Sequence, residues 1–386
     1  MTKVALLHCA GYENDLLKNR IRAALSLIGF DLSLFSGLRV GLKPNLLMPF
    51  SPDRAVITHP EFFRAAAQVV LEAGGMPVLM ECPNFFSLDS TIRRVGYDEI
   101  VNSLGIPVAN MEPVRPLHYD QALLYKSIEV AAALFDVDIL VNLPKFKTHA
   151  FTYVSGSVKH LFGVIPGLRK SRMHMRLPSV TEFSDFLLDL YGAVNQRFSE
   201  PRRLLHIMDA VLAMEGEGPG PSGSARRMDA VLASEDGLAL DWTAVSVAGL
   251  SPDKVLTLTR GFTRPFGVSS PDEIEVVGDR IEDLKMKDFA PPSREIYGGV
   301  GWPITSKTFK NWFVERPEPD LDKCVLCYQC QRTCPAGAIS RASEGGRAPR
   351  FDYKKCIRCF CCMEICPEAA LSAKKGRLQW MLRLKG

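Results

Sequence analysis

The stretch CVLCYQCQRTCP (residues 324–335) decides the fold of the last part of the chain, and it is repeated 32 positions later as CIRCFCCMEICP (residues 356–367). Both stretches have the spacing C-x2-C-x2-C-x3-C-P, which is typical of 4Fe–4S cluster binding. Three closely spaced thiolates can cap three irons of one cluster from a single tight loop. The fourth cysteine lies beyond their reach and ligates the other cluster. The duplicated spacing therefore predicts two 4Fe–4S clusters in one small module.

The same rule assigns the motif cysteines to their clusters. We expect one cluster to be held by Cys324, Cys327, Cys330 and Cys366, and the second by Cys356, Cys359, Cys362 and Cys334. A zinc ribbon would use two C-x2-C pairs, and a disulfide framework is typical of short secreted chains. The prediction is a bacterial-type two-cluster ferredoxin module of α+β structure at residues 320–373. The additional cysteine of this region, Cys361, is interpreted as a small packed side chain.

Composition sets bounds on the rest of the chain. With 386 residues and 47% hydrophobic residues, the chain can form two or three domains with a sizeable core. The net charge is only +4, so the whole chain is not predicted to bind a polyanion. No apolar run approaches the roughly 18 residues of a membrane span. Oxygen-sensitive clusters and unpaired thiols favour a reducing cytoplasm.

Residues 1–285 show short apolar runs that alternate with helical patterns, which predicts a layered α/β domain with a largely parallel sheet. It forms one unit or two lobes, at about 1–178 and 179–285. A proline-containing linker is predicted at 286–319, and a basic tail at 374–386 that packs on its own domain or contacts a membrane surface. The predicted strands are 3–9, 38–43, 76–82, 137–143, 203–208, 228–234 and 273–278, and the predicted helices are 14–29, 60–73, 88–104, 179–197 and 237–249.

Two loops that follow predicted strands carry candidate binding residues. The first, GLKPNLL, contains Lys43 and Asn45, and the second, LVNLPKFKTHAF, contains Lys145, Lys147 and His149. Strand ends at the carboxyl edge of a parallel sheet are where α/β proteins bind ligands. Because both loops place cationic and amide groups there, we expect a site rather than unrelated solvated lysines.

The residues from Ile139 to Thr181 contain no Asp or Glu, although a solvated surface normally mixes both signs of charge. The segment includes Lys159 and His160, between glycines that permit close approach of the backbone. Such a segment indicates an anion, either a small molecule or a cofactor. The candidate catalytic residues are His149, His160 and Lys147, with one histidine as proton donor. The candidate substrate-binding residues are Lys43, Asn45, Lys145 and Lys159.

The glycine-rich stretch MDAVLAMEGEGPGPSG (residues 208–223) adds Glu215 as a candidate binding residue. Its carboxylate could bind a substrate or pair with the basic segment, or the stretch could be an ordinary surface turn. It contains neither G-x-G-x-x-G nor the lysine and hydroxyl pair of a P-loop, and no flavin or nicotinamide motif occurs elsewhere.

These stretches, together with ALDWTAVSVAG (residues 239–249), resemble the family named domain of unknown function 362. The resemblance covers roughly residues 1–285, and its most specific part runs from Lys145 to Gly163. Members often carry a bacterial-type two-cluster ferredoxin module. The resemblance implies an iron–sulfur oxidoreductase whose substrate is unassigned.

Two hypotheses for the function follow. In the first, the chain is an iron–sulfur oxidoreductase whose ferredoxin module relays low-potential electrons to an anionic substrate or cofactor in the α/β domain. In the second, it is an electron-transfer or metallocofactor-maturation partner without its own catalytic site. Both require a protein that donates or accepts electrons. Nucleic-acid binding is disfavoured because no known module is present. The sequence carries no signal of the oligomeric state.

Overall fold

The computed structural model of the protein describes residues 1–83, 87–167, 169–177, 179–200, 202–292 and 315–374. The predicted linker at 286–319 lies largely outside these residues, and so does the predicted tail at 374–386. Among the described residues, no helix combines the length and the apolar composition needed to cross a membrane.

The strands are numbered in chain order. They are β1 (Thr2–His8), β2 (Arg39–Pro44), β3 (Met76–Leu79), β4 (Val114–His118), β5 (Ser127–Ala131), β6 (Ile139–Leu143), β7 (Lys145–His149), β8 (Tyr153–Ser155), β9 (Leu204–Gly216), β10 (Gly223–Ser234), β11 (Ile274–Gly278), β12 (Arg316–Pro319), β13 (Ile339–Ser340), β14 (Arg350–Phe351) and β15 (Leu371–Lys374).

The helices are numbered in the same way. They are α1 (Asn14–Leu27), α2 (Pro60–Glu72), α3 (Leu88–Arg94), α4 (Tyr97–Ser103), α5 (Ser157–His160), α6 (Arg169–Arg176), α7 (Val180–Arg197), α8 (Gly237–Val247), α9 (Leu256–Gly261), α10 (Ile281–Leu284), α11 (Gln329–Thr333) and α12 (Cys361–Glu364).

A mostly parallel sheet forms the centre of the α/β domain. Its strands follow the order β11-β1-β10-β9-β6-β2-β3, and β7 and β8 extend it beside β9. Strand β2 runs parallel to β3 and β6, and β9 runs parallel to β6 and β7, whereas β10 is antiparallel to both of its neighbours. Strands from before and after residue 178 therefore share one sheet. The α/β fold class predicted from the sequence is confirmed.

Alternation along each strand distributes the apolar side chains between two core layers. In β1, Val4 and Leu6 face the layer that contains α7 and α8, and Ala5 and Leu7 face the layer that contains α1 and α2. Because side chains alternate between the two faces of a strand, a strand covered on both faces must be apolar at every position. This explains why the strands of this sheet are nearly continuous apolar runs in the sequence.

The predicted start and end of α2 are seen in the structure. His59 caps the helix, and its Nδ1 accepts a hydrogen bond of 3.2 Å from the backbone N–H of Glu61. Pro60 occupies the first helical position, where a missing N–H costs no intrahelical bond. Gly74 follows the helix with a φ of +79°, a left-handed conformation that suits glycine.

Several parts of the secondary structure differ from the predictions. Lys145–His149 was expected in a loop and instead forms β7, because its backbone pairs with the long strand β9. The predicted helix at 88–104 is two helices, separated at Gly96, which has a left-handed φ of +78°. Strands β4 and β5, which pair with each other, were not predicted.

The C-terminal domain repeats one small unit. Antiparallel pairs β12–β15 and β13–β14 flank the short helices α11 and α12. Its buried side chains form their own apolar cluster, separate from the two core layers of the α/β domain. Tyr328 and Phe360 precede the two helices with φ of +57° and +58°, so the repeat of 32 residues seen in the sequence is also a repeat of backbone conformation.

Candidate functional site

A pocket lies at the carboxyl ends of β2 and β3, between the α/β domain and the C-terminal domain. Lys43 is near the end of β2, and Glu81 follows β3, so the parallel arrangement brings both to one edge of the sheet. Helix α5 carries Lys159 and His160, which line the same pocket. The wall is formed by Lys43, Asn45, Leu47, Met48, Glu81, Cys82, Ser155, Lys159, His160, Phe162, Gly163, Lys170, Cys361, Glu364 and Ile365.

Helix α5 is held in place by a carboxylate from the opposite side. Asp241 in α8 accepts hydrogen bonds from the backbone N–H groups of Ser157 and Val158, at 2.5 and 3.1 Å. Burial raises the pKa of this carboxyl group to about 7. A side chain at Gly156 would collide with Asp241, so the glycine is needed for this approach. The interaction fixes the helix that carries Lys159 and His160.

Lys43 is the centre of a buried polar network. Its Nζ lies 2.8 Å from Glu81 Oε2 and 3.2 Å from His160 Nε2. Burial lowers the pKa of the Lys43 ammonium, and the adjacent Glu81 carboxylate partly offsets this effect. A side chain at Gly163 would collide with Lys43. The glycine therefore allows the chain to close over the lysine.

The hydrogen bonds of His160 define which ring nitrogen carries the proton. Its Nδ1 lies 2.7 Å from Asn142 Oδ1, an acceptor, so Nδ1 donates and Nε2 accepts from Lys43. The Asn142 amide in turn donates to Ser157 O at 3.1 Å and to His206 Nδ1 at 3.0 Å. Burial holds the pKa of His160 well below its ordinary value and lowers that of His206 to about 3. Both rings are therefore neutral at physiological pH.

Three donors that line the pocket have no partner among the described residues. With the residues that the structure describes, the half-buried Lys159 makes no hydrogen bond and no ion pair within 4 Å, and the side chains of Asn45 and Ser155 make no hydrogen bond. Asn45 is 8% exposed and Ser155 is 2% exposed. Buried polar groups in folded proteins are nearly always hydrogen-bonded, so these groups indicate space for a polar ligand.

The C-terminal domain inserts a carboxylate into this basic environment. Glu364 Oε1 lies 3.5 Å from His149 Nε2, and Glu364 also interacts electrostatically with Lys147 and Lys159. His149 Nδ1 accepts from the backbone N–H of Phe151 at 3.0 Å, so its Nε2 carries the hydrogen that faces Glu364. Lys147 is buried behind the wall and donates to Val56 O at 2.7 Å.

A second buried cluster contains Lys145. Its Nζ lies 2.9 Å from Asp209 Oδ2 and 2.8 Å from Tyr12 OH, and Tyr12 donates to Asp209 Oδ1 at 2.9 Å. The backbone N–H of His59 also donates to Asp209, and the rings of Tyr12 and His59 stack with centroids 3.7 Å apart. This cluster is separate from the pocket.

The structure brings Lys43, Asn45, Lys159 and His160 together in the pocket, and it places Lys147 and His149 beside it around Glu364. It does not bring Lys145 or Glu215 there. Glu215 accepts a hydrogen bond of 3.0 Å from the backbone N–H of Ala290.

Sequence reasoning missed Glu81, Ser155 and Glu364 as pocket residues. Glu81 gave one signal, because it ends a predicted strand as Lys43 does. Glu364 gave none, because its position depends on how the C-terminal domain packs.

The cysteines of the C-terminal domain form two groups. One apolar cavity is lined by Cys324, Cys327, Cys330 and Cys366. The Cys334 thiol instead interacts electrostatically with Cys356 and Cys359, and Cys362 interacts with Cys334. Burial raises the pKa of Cys330 to about 11 and that of Cys362 well above its ordinary value, so bound iron would have to stabilise these thiolates. An apolar cavity surrounded by four thiols fits a 4Fe–4S cluster.

Comparisons with known proteins define the class of this chain. Residues 40–246 match the family model described as domain of unknown function (DUF362), and residues 316–367 match the 4Fe-4S dicluster domain. Because the first match covers more than half of the chain, the chain belongs to that family. The C-terminal domain binds iron–sulfur clusters of the ferredoxin type.

One relative and one solved structure illustrate the similarity. The chain is 30% identical over 323 residues to the thylakoid-associated protein sll1697 of Synechocystis sp. (strain ATCC 27184 / PCC 6803 / Kazusa), and the match covers 81% of this chain and 94% of that protein. The structure of the lactate racemase apoprotein from Thermoanaerobacterium thermosaccharolyticum is matched with 15% identity and a TM-score of 0.40. That match covers 64% of this chain and 57% of that structure.

Proposed function

We propose that the protein is an iron–sulfur oxidoreductase that exchanges electrons with a partner protein and relays them to an anionic substrate or cofactor bound in the pocket. One observation carries this proposal. Cys361, Glu364 and Ile365, from the second cysteine motif, form one wall of the pocket that Lys43, Lys159 and His160 line. The electron-carrying domain and the anion-binding groups therefore share one cavity.

We propose two 4Fe–4S clusters, one held by Cys324, Cys327, Cys330 and Cys366 and the other by Cys356, Cys359, Cys362 and Cys334. The cavity lined by the first four cysteines and the proximity of Cys334 to Cys356 and Cys359 support this assignment. When bound, such clusters supply one-electron transfer at low potential. We propose that the second cluster lies nearer to the pocket than the first, because Cys361 of the pocket wall lies between its ligands Cys359 and Cys362 in the sequence.

The residues of the α/β domain would bind the anion and hold a proton. Lys159 and Asn45 offer unpartnered donors, and Lys43 adds a buried ammonium. Because burial lowers the pKa of Lys43, this ammonium gives up a proton more readily than an exposed lysine would. We propose that Lys43 and His160 together hold the proton at this position, and that His149 and Lys147 orient Glu364 from behind the wall. In this proposal, Lys145 and Glu215 support the structure around the site and do not contact the anion.

The experiment that tests this function starts with anaerobic purification of the full chain. We expect about eight irons per chain, because two four-iron clusters are proposed. Small molecules released from the protein are identified by mass spectrometry and added back to chemically reduced protein. Reoxidation of the clusters by a released anion, lost in the Lys159→Met variant, supports the oxidoreductase. Reduced clusters that respond only to electron-transfer proteins would favour the partner-protein hypothesis instead.

Variants of the fourth cysteines test the cluster assignment. Cys366→Ser should damage the cluster of the first motif, and Cys334→Ser should damage that of the second, although each cysteine lies in the other motif. Electron paramagnetic resonance of the reduced protein distinguishes the two clusters. Loss of the cluster of its own motif in either variant would contradict the assignment.

The domain boundaries also stay proposals: an α/β domain at 1–285, a linker at 286–319 and a dicluster domain at 320–373, with a tail at 374–386. The separate apolar cluster of the C-terminal domain supports independent folding. A chain truncated before Pro317 retains Phe289, which packs in the core of the α/β domain. It should unfold cooperatively, and an aggregated product would contradict the proposal.

The cytoplasmic location predicted from the sequence stays a prediction as well. The Synechocystis relative is named for its association with thylakoids. Separation of membranes from the remaining cell extract, with and without a salt wash, would distinguish a membrane-attached protein from a cytoplasmic one.

A further inference from the structure

The donors and charges around the pocket define the class of anion it accepts. This inference rests on the proposed function, because it concerns the anion bound at the same site. Lys43 is paired with Glu81, so this pair contributes little net charge. The other three lysines near the cavity are Lys147, Lys159 and Lys170, and one further carboxylate, Glu364, faces two of them. Counted as formal charges, these three lysines exceed the one carboxylate by two.

The hydrogen bonds of these lysines show that, within the described part of the chain, no further carboxylate neutralises the excess. Lys147 donates to Val56 O, and Lys170, which is 6% exposed, donates to Cys82 O. A backbone carbonyl satisfies a donor but carries no net charge. Lys159 has no hydrogen-bond or ion-pair partner among the described residues. Burying uncompensated charge is costly, which is why burial lowers the pKa of Lys147 and Lys159.

Neutral donors complete the inventory. The Asn45 amide and the Ser155 hydroxyl line the cavity, are more than nine-tenths buried and make no hydrogen bond to described residues. Both can donate to an oxygen atom. Phe162 and Met48 form apolar parts of the pocket wall. A molecule bound there therefore requires few polar atoms beyond its charged groups.

We infer that the pocket binds a small oxyanion with two negative charges, either a dicarboxylate or a phosphate. Two negative charges balance the excess of the lysines, and the oxygens accept from Lys159, Asn45 and Ser155. A bound dianion also offsets the burial that lowers the pKa of the lysines and keeps them protonated. A single carboxylate would leave one buried charge without a counterion.

The test compares anions on the full chain with its clusters, under anaerobic conditions. Malonate, phosphate and acetate are titrated by calorimetry at constant ionic strength, because salt screens charge interactions. We expect malonate or phosphate to bind at least about tenfold more tightly than acetate, a difference of about 1.4 kcal/mol. Comparison of malonate with phosphate distinguishes the two kinds of dianion.

Matched variants exclude a general loss of folding as the cause of weaker binding. Lys159→Met should weaken dianion binding at least about tenfold and remove the preference over acetate. Lys159→Arg should retain binding, and Lys126→Met, at an exposed lysine that does not line the pocket, is the matched control. Iron content and thermal unfolding verify the fold of each variant.

The outcomes separate this inference from the proposed function. Equal binding of acetate and malonate, with binding weakened in Lys159→Met, would overturn the dianion class and leave an anion site. If none of the three anions binds to the wild-type protein, the dianion class and the anionic substrate of the proposed function are both wrong.

Discussion

Lys43 and Lys145 are both buried lysines at neighbouring strand ends, and their surroundings differ in one respect. Lys145 lies among Asp209, Tyr12 and the backbone of β9, and each polar group of this cluster has a partner. Lys43 also has a carboxylate partner, Glu81, but it faces a cavity where other donors have none. The first arrangement stabilises the pairing of β7 with β9. The second leaves hydrogen-bond donors that can bind a ligand. We conclude that the hydrogen-bond partners of the surrounding donors, rather than the burial or the charge of the lysine itself, distinguish the structural cluster from the binding one here.

The largest expected effect concerns the compensated cluster. Asp209→Ala should lower the free energy of unfolding by about 3–5 kcal/mol, because it leaves the buried Lys145 without a counterion. Urea unfolding of the anaerobic protein measures the change. Lys145→Met in the Asp209→Ala background is the matched control and should recover part of the loss. Surface ion pairs contribute less than about 1 kcal/mol. A loss below this value would show that the Lys145–Asp209 pair stabilises the fold no more than a surface ion pair does.

The next effect concerns the network that ends at His206. The pKa of His206 is about 3 in the folded protein and 6.5 ordinarily, so the unfolded chain binds a proton that the folded chain does not. Stability from this residue is therefore present above pH 6.5 and is lost as the pH falls towards 3. Asp241, with a pKa raised to about 7, has the opposite dependence, so only a comparison with a variant isolates His206.

His206→Gln keeps an acceptor for the Asn142 amide and removes the titration. Between about pH 6 and about pH 4, the stability of this variant should fall less steeply than that of the wild type, by about 1.4 kcal/mol per pH unit. Urea unfolding across this range gives the two slopes. Identical slopes would contradict a neutral, buried His206.

The smallest expected effect separates the two lysine clusters. Lys159→Met should change the free energy of unfolding by less than about 0.5 kcal/mol or stabilise the protein, because Lys159 has no ion-pair partner among the residues that the structure describes. The measurement is the same urea unfolding used for Asp209→Ala. A loss of several kcal/mol would mean that Lys159 is a structural residue, and the contrast with Lys145 would no longer hold.

Local patterns predicted most of the fold but only part of the site. The apolar strands and the capped helix α2 depend on side chains close in sequence, and most were predicted within a few residues. Strands β9 and β10 are longer than the predicted 203–208 and 228–234, because their pairing continues into the glycine-rich stretch. Strand β7 was missed because the polar sequence KFKTH becomes a strand only when β9 lies beside it. The acid-free segment drew attention to Lys159 and His160, which line the pocket. It could not separate Lys145 from them, because Asp209 is 64 residues away in the sequence.

Residues of the site that come from distant elements had no local signal. Glu81 meets Lys43 because β2 and β3 are neighbours, which is a property of strand order. Glu364 meets His149 because the second cysteine motif packs on the α/β domain. The spacing of the cysteines, in contrast, is local, so the iron–sulfur chemistry could be predicted before the structure was known.

The central claim is that the pocket and the second cysteine motif form one functional unit. Potentiometric titration of the full chain, followed by electron paramagnetic resonance with and without malonate, tests it most directly. A bound anion favours the oxidised state of a nearby cluster, and each tenfold difference in affinity between the two states lowers the potential by about 59 mV. We predict that malonate lowers the potential of one cluster, the one removed in Cys334→Ser, and that Lys159→Met abolishes this shift. Equal shifts of both clusters, or no shift of either, would contradict the claim.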